Sequence, residues 1–157
     1  IGAAISPFSA FLLAQGLETL SLRVERHIEN THKVAEWLEA REDGSKVTWA
    51  SRDSSPYKAL ADKYVPKGAG AVLTFELPGG LKAGKAFIDS LELFSHVANI
   101  GDVRSLAIHP ASTTHSQGTP EEQLATGVTP GLVRLAVGLE GIDDILADLD
   151  AGFRAAK

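Results

Sequence analysis

The chain has 157 residues, of which 44% are hydrophobic and 22% are charged, and its formal net charge is -5. This length favours a single domain, and the acidic balance argues against a general nucleic-acid surface, because phosphate binding depends mainly on Lys and Arg. The absence of cysteine excludes disulfides and thiolate chemistry and fits a cytoplasmic location without requiring it, and no apolar run approaches the ~18 residues of a membrane span.

The first predicted element is a long helix over residues 6–41. Ser6 and Pro7 supply a hydroxyl N-cap and a proline at the first helical position. Gly16 is the position at which this helix is expected to bend or divide. An apolar stripe then follows helical spacing through Leu20, Val24, Ile28, Ala35 and Leu38.

Shorter elements follow this helix. Asp43-Gly44 signals a stop and a turn, and "KVTW" predicts a short strand. A second helix is predicted over residues 57–64, ending before Pro66. "AVLTFEL" alternates in polarity and predicts a half-buried strand with Leu73, Phe75 and Leu77 on one face.

The rest of the chain alternates between strands and helices. After Pro78-Gly79-Gly80, "LKAGKAFIDSLEL" predicts a helix that places Phe87, Ile88 and Leu91 together. "SHVANI" and "SLAIH" predict short strands, "LVRLAVG" predicts another, and residues 110–131 show no period. "IDDILADLDAGFRAA" predicts a final helix whose apolar face holds Ile142, Ile145, Leu146, Leu149 and Phe153.

This order predicts an α/β fold of α+β-like, two-layer character. Helices pack against one small sheet, which is antiparallel or mixed. We expect residues 1–157 to form one domain.

A glycine-rich segment, "GGLKAGKA", matches the spacing of a phosphate-binding loop at Gly79, Gly84 and Lys85. Such a loop needs a hydroxyl residue to hold the metal, and Ala86 occupies that position. The alternative is a glycine turn leading into a helix with exposed lysines, and the missing hydroxyl favours it.

The segment "AIHPASTTHS" brings two histidines and several hydroxyl residues around a proline. His109 and His115 lie six apart and therefore do not share one helical face, so a zinc site is not favoured. No G-x-S-x-G motif supports a serine hydrolase. We interpret both histidines as structural support and expect Ser112, Thr113 and Thr114 to bond to their own backbone.

Arg134 is the strongest candidate for a ligand-binding residue. Strand alternation places it on one face with Leu132 and Ala136, where it is either solvated or paired with an anion. The planar guanidinium matches a carboxylate through two parallel hydrogen bonds. The nearest acidic residue, Glu140, lies beyond the strand, so an outside carboxylate such as that of an amino acid is one hypothesis.

Three stretches together resemble one enzyme family. "SPFSAFLLAQGLETLSLRVERH", "ANIGDVRSLAIHPASTTHSQ" and "GLVRLAVGLE" resemble the C-terminal part of the Cys/Met-metabolism enzymes that use pyridoxal phosphate, and the sulfhydrylases acting on O-acetylhomoserine in particular. The resemblance implies a small C-terminal domain of a fold type I transferase. It also implies that a preceding larger domain, not recognisable in this sequence, carries the cofactor lysine and most phosphate contacts. Since the chain also lacks an initiator methionine, we expect it to be a piece of a longer protein.

The resemblance implies roles for three residues. Arg134 falls on the arginine that binds the substrate α-carboxylate, and Asn99 falls beside it at a position where lyases and cystathionine synthases of the family usually have serine. Thr114 falls at the substrate end of the pocket. No catalytic, metal-binding or cofactor-binding residue of this chain is implied.

The implied reaction replaces the acetate of O-acetyl-L-homoserine by sulfide and gives homocysteine, a step of methionine biosynthesis. The implied assembly is a homo-oligomer, a tetramer, and the isolated chain is expected to be inactive. Two alternatives remain: a cystathionine γ-synthase or γ-lyase of the same family, and a non-catalytic assembly domain that uses the exposed apolar residues of the first helix.

Overall fold

The computed structural model describes residues 2–41 and 46–157 of the chain, and Asp43-Gly44 therefore lies outside the described residues. Four strands form one sheet, and helices pack on it. The helices are α1 (Pro7–Glu18), α2 (Leu20–Glu39), α3 (Lys58–Tyr64), α4 (Gly80–Asp89), α5 (Pro120–Ala125) and α6 (Ile142–Ala155). The strands are β1 (Val72–Glu76), β2 (Ser95–His96), β3 (Leu106–Ile108) and β4 (Leu132–Ala136).

The first helix begins where the sequence predicts but breaks elsewhere. The Ser6 hydroxyl accepts a hydrogen bond from the Ser9 amide at 3.1 Å and caps α1. The predicted bend at Gly16 is wrong, because the backbone leaves helical geometry at Thr19 (φ -110°, ψ 10°). Nothing packs closely against Gly16, which stays helical, whereas the Arg23 side chain donates to the Gly16 carbonyl and to the Thr19 hydroxyl across the break.

The sheet is mixed, with strand order β1-β4-β3-β2. Strand β4 pairs antiparallel with both β1 and β3, whereas β2 runs parallel to β3. The predicted strand "KVTW" is reduced to one pair of backbone hydrogen bonds between Thr48 and Thr74, at 2.8 and 3.0 Å. In "SHVANI" only Ser95 and His96 are in a strand, so Asn99 lies in the loop that follows.

One face of the sheet carries the hydrophobic core. The predicted face of β1 is confirmed, since Leu73, Phe75 and Leu77 are all buried. Three phenylalanines meet there, one each from β1, α4 and α6: Phe75, Phe87 and Phe153 have ring centroids 5.3 to 5.5 Å apart. Gly152 permits this approach, because a Cβ at that position would lie 2.6 Å from the Phe87 ring. The predicted apolar face of the final helix is therefore the one that closes the core.

The segment 110–131, expected to lack regular structure, contains two short elements. A 3-10 turn covers Pro110–Ser112, and α5 follows. The Thr119 hydroxyl accepts from the Glu122 amide at 3.3 Å, and the Glu122 carboxylate accepts from the Thr119 amide at 2.8 Å. This capping box, with proline at the first helical position, was visible in "TPEE", but a six-residue helix is too short to show an apolar period.

Polar side chains of α2 hold the end of β4. The fully buried Asn30 donates its side-chain amide to the carbonyls of Gly138 at 2.9 Å and Glu140 at 3.0 Å. His27 lies one turn earlier, and its Nδ1 is 2.6 Å from the carbonyl of Val137. Because a carbonyl oxygen can only accept, this nitrogen carries the proton. These bonds fix the exit of β4 against α2.

We therefore expect Asn30→Asp to destabilise the chain by about 3 kcal/mol, because a carboxylate of the same shape cannot donate to the two carbonyls. Urea unfolding of the 157-residue chain measures the change. Gln15→Glu makes the same amide-to-carboxylate change at an exposed position of α1, and it should shift the free energy of unfolding by no more than about 0.5 kcal/mol. Equal unfolding midpoints for the two variants would contradict the role of Asn30.

None of the helices in the described part of the chain combines the length and the apolar character that a membrane crossing requires.

Candidate functional site

Arg134 lies on the face of the sheet opposite the aromatic core. In the central strand β4 it pairs with Thr74 of β1 and Ile108 of β3. Its side chain is partly exposed, and one terminal nitrogen donates to the main-chain carbonyl of Asn99 at 3.0 Å. Its Nε is buried without a hydrogen-bond partner. The guanidinium is therefore aimed by one carbonyl and keeps further donors for another acceptor.

No carboxylate among residues 2–41 and 46–157 forms an ion pair with Arg134. Glu140, the nearest acidic residue in sequence, accepts instead from the amide and hydroxyl of Ser105 at 2.7 and 2.9 Å. A strand arginine without an acidic partner suits an anion from outside the described residues, and its fork favours a carboxylate.

Asn99 contributes its main chain to this site. Its side chain is exposed, whereas its carbonyl orients Arg134. The surrounding loop is fixed at its far end, where Leu139 donates to the carbonyl of Val103 at 2.9 Å. Ser105, buried and bonded to Glu140, anchors the same loop. No sequence signal indicated this pair, because its members are 35 positions apart.

Thr114 lies in the turn after the 3-10 segment. Its side chain is exposed, and its hydroxyl is 2.9 Å from Nδ1 of His115. The expected bond from this hydroxyl to the local backbone is therefore not the one observed. Among the hydrogen bonds of the described residues, none joins Thr114 to Arg134 or Asn99. The structure thus brings Arg134 and Asn99 together and leaves Thr114 on a separate turn.

The side chain of His109 packs beneath the protein surface and bonds to the segment that leads into this turn. It is buried, with Nδ1 2.8 Å from the Ser112 hydroxyl and Nε2 2.8 Å from the Pro130 carbonyl. Since the carbonyl can only accept, Nε2 carries the proton and Nδ1 accepts from Ser112. The Thr113 hydroxyl donates to the His109 carbonyl at 2.9 Å, as predicted. The ring of His115, by contrast, is exposed and bonds to Thr114.

The glycine-rich segment is the beginning of a helix. Gly79 and Gly80 adopt positive φ angles of 102° and 61°, and α4 starts at once. Gly84 therefore lies inside the helix, where a Cβ would come within 2.3 Å of the His109 ring, and Lys85 is exposed. The segment is the glycine turn expected as the alternative to a phosphate loop, and Gly84 makes room for His109.

Within the described ranges, no group of three or more His, Cys, Asp or Glu side chains is arranged to hold a metal ion.

Comparison with known proteins identifies the family. The family model described as "Cys/Met metabolism PLP-dependent enzyme" matches residues 1–154. The chain belongs to this family. The resemblance carried by the three stretches of sequence is thereby confirmed.

Individual relatives agree with this assignment. The chain is 54% identical, over 155 residues, to an O-acetyl-L-homoserine sulfhydrylase of Leptospira meyeri, covering 98% of this chain and 35% of the relative. It matches a structure of a putative O-acetylhomoserine (thiol)-lyase from Campylobacter jejuni with a TM-score of 0.87 at 42% identity, covering 98% of this chain and 36% of that one. A cystathionine gamma synthase from Xanthomonas oryzae pv. oryzae, solved with cystathionine, matches with a TM-score of 0.85 at 42% identity, over 96% of this chain and 39% of that one. The chain thus spans little more than a third of the length of these relatives.

These matches also confirm the fold class, a mixed four-stranded sheet with helices packed on it.

The family depends on pyridoxal phosphate, and the Campylobacter structure contains pyridoxyl-lysine 5'-monophosphate. Lysine is the side chain that forms a Schiff base with pyridoxal phosphate. Each described lysine is exposed except Lys58, which is half-buried and forms a surface ion pair with Asp62 at 2.6 Å. Arg134, by contrast, is partly exposed, and its Nε has no hydrogen-bond partner.

Proposed function

We propose that this chain is the carboxylate-binding, C-terminal part of a cytoplasmic O-acetyl-L-homoserine sulfhydrylase, whose remaining segments bind pyridoxal phosphate. The observation that carries the proposal is the Arg134 guanidinium, aimed by the Asn99 carbonyl and without an acidic partner in the described chain. The substrates are O-acetyl-L-homoserine and sulfide, and the product is homocysteine.

The contribution of this chain to the reaction is orientation. The fork of Arg134 binds the substrate α-carboxylate through parallel hydrogen bonds, and the Asn99 carbonyl limits rotation of the guanidinium. A fixed carboxylate holds the Cα–H bond in one direction for proton removal. The turn carrying Thr114 closes the side of the active site that binds the amino acid. The cofactor, when bound, supplies the electron sink that carbanion chemistry at the amino acid requires.

Two observations favour the sulfhydrylase branch within the family. Asn99 stands where the resemblance places asparagine in sulfhydrylases and serine in lyases and cystathionine synthases. The 54% identity to the Leptospira sulfhydrylase points the same way. The structural matches do not separate the branches, since a thiol-lyase and a cystathionine gamma synthase both match at 42% identity.

The proposal is tested with the full-length protein loaded with pyridoxal phosphate. We expect sulfide-dependent formation of homocysteine from O-acetylhomoserine, at a higher kcat/KM than formation of cystathionine from O-succinylhomoserine and cysteine. Elimination from cystathionine or methionine should be slower still. A preference for either of the other two reactions would keep the family and overturn the branch.

The exposed surface of α1 favours a second, compatible role in assembly. This helix has no buried residue, and its large apolar side chains are each more than half exposed: Phe8, Phe11, Leu12, Leu13 and Leu17. By helical spacing, the first three share one side and the last two share the opposite side. A helix that is apolar all round is normally buried on all sides. We propose that α1 packs between the rest of the full-length protein and a second subunit of a homo-oligomer, a tetramer.

This role predicts that Leu13→Glu in the full-length protein lowers the assembly size measured by light scattering, because a charge cannot be buried in that contact without a large cost. Leu60→Glu is the matched control, since Leu60 is a helical leucine of α3 that is also more than half exposed, at 53% against 62% for Leu13. It should leave the assembly size unchanged. Identical assemblies for the two variants would contradict an interface on α1.

A further inference from the structure

The turn that carries Thr114, taken as residues 110–118, accepts hydrogen bonds from a side chain of the helix that follows it. Gln123 of α5 is half-buried, and its Nε2 donates to the carbonyls of His115 at 2.8 Å and Ala111 at 3.2 Å. A third carbonyl, that of Gly118, lies at 3.5 Å. The two protons of the amide thus bridge the beginning and the end of the turn, and one of the bonds is made to the residue directly after Thr114.

The main chain of Gln123 connects this turn to the strand of Arg134. Its carbonyl accepts from the amides of Val128 at 2.8 Å and Thr126 at 3.1 Å. Val128 is buried and leads into β4. Gln123 therefore bonds with its side chain to the Thr114 turn and with its backbone to the approach to Arg134. The bond from His109 to the Pro130 carbonyl makes a second, deeper link between the same two segments.

We propose that Gln123 is a positioning residue, which sets the distance between the Thr114 turn and Arg134 and so determines the fit of the amino-acid substrate. The inference rests on the proposed function, because it takes both residues as contacts of the substrate. Gln123 acts through the main chain of its neighbours and has no place among the reacting groups.

Two substitutions of Gln123 distinguish a role as hydrogen-bond donor from a role that only fills space. Gln123→Glu keeps the shape of the side chain but replaces the donor by a carboxylate, which faces two carbonyl oxygens and repels them. Gln123→Ala removes the donor without adding repulsion. If Gln123 positions the turn by donation, the glutamate variant is the more damaged of the two; if it fills space, the alanine variant is.

The experiment measures KM and kcat for O-acetylhomoserine with the full-length, cofactor-loaded protein. We expect Gln123→Glu to raise KM about tenfold and Gln123→Ala about threefold, while kcat and the cofactor absorbance stay near wild type. Gln117→Glu is the matched control, because Gln117 is an exposed glutamine of the same turn; its KM should not change. A glutamate variant with wild-type KM, or one less affected than the alanine variant, would overturn the inference and leave the proposed function intact.

Hydrogen exchange of residues 110–118 gives a readout that does not depend on the substrate. Amides of this turn, including those of Thr113, His115 and Gly118, donate to carbonyls within it. Gln123→Glu should speed their exchange about tenfold relative to Gln117→Glu, because opening of the turn becomes easier. Unchanged exchange would overturn the bridging role of Gln123. A wild type that is inactive with O-acetylhomoserine but shows faster exchange in Gln123→Glu would instead overturn the proposed function.

Discussion

Replacing Arg134 with alanine in the full-length protein should lower kcat/KM for O-acetylhomoserine roughly 30- to 1000-fold. This corresponds to a loss of about 2–4 kcal/mol of transition-state stabilisation. The guanidinium donates to the Asn99 carbonyl and has no carboxylate partner in the described chain. In the proposed function, its removal takes away the charge-assisted bonds to the substrate carboxylate and leaves that carboxylate without a partner in the site. Cofactor absorbance should persist, because the proposal assigns cofactor binding to other segments of the protein.

The conservative variant and a control sharpen this test. Arg134→Lys keeps the charge but loses the planar fork. We therefore expect its kcat/KM to be about tenfold higher than that of Arg134→Ala, and no more. Arg104→Ala removes an exposed arginine from the loop before β3, and it should leave kcat/KM unchanged. Loss of the cofactor together with activity in Arg134→Ala would contradict the division of roles between this chain and the rest of the protein.

Phe87→Ala should destabilise the 157-residue chain by about 3–5 kcal/mol, the cost of removing a buried phenylalanine and leaving a cavity. The side chain is fully buried, and its ring lies 5.4 Å from that of Phe75 and 5.3 Å from that of Phe153. One substitution thus weakens the contact of α4 with both the sheet and α6. Urea unfolding followed by circular dichroism gives the free energy of unfolding.

Phe8→Ala is the control for this prediction. Phe8 is 70% exposed in the structure, so the same change should cost no more than about 0.5 kcal/mol in the 157-residue chain. Similar losses for the two variants would mean that α1 is packed in the isolated chain or that the aromatic cluster is not its core. Either result would contradict the fold described above.

Elements with a strong local pattern were predictable from sequence. Ser6 and Pro7 marked the start of α1, the alternation of "AVLTFEL" identified β1, and the period of the final helix predicted its buried face. The wrong or missing predictions of helices also have local reasons. The break falls at Thr19, where the Arg23 side chain bonds to the Thr19 hydroxyl and the Gly16 carbonyl. Helix α5 was too short for periodicity, although its capping box was present.

The candidate site shows the same division. Arg134 could be singled out from sequence because a charge inside an apolar strand needs an explanation, and the family resemblance gave it a role. Asn99 was predicted on resemblance alone, and its main-chain bond to Arg134 was not foreseen. Gln123 was missed, because its acceptors are backbone carbonyls, which every residue possesses and no sequence pattern marks.

By itself, the sequence determined the type of most elements, the faces they bury and the family, since these depend on neighbours along one helix or strand and on long matching stretches. The tertiary structure decided the strand order, which places β4 between β1 and β3, and the links from Arg134 to Asn99 and from His109 to Pro130. Those contacts join residues 35 and 21 positions apart. They form only when separate elements pack on one sheet, because the position of each partner is set by that packing and not by the residues next to it in the chain.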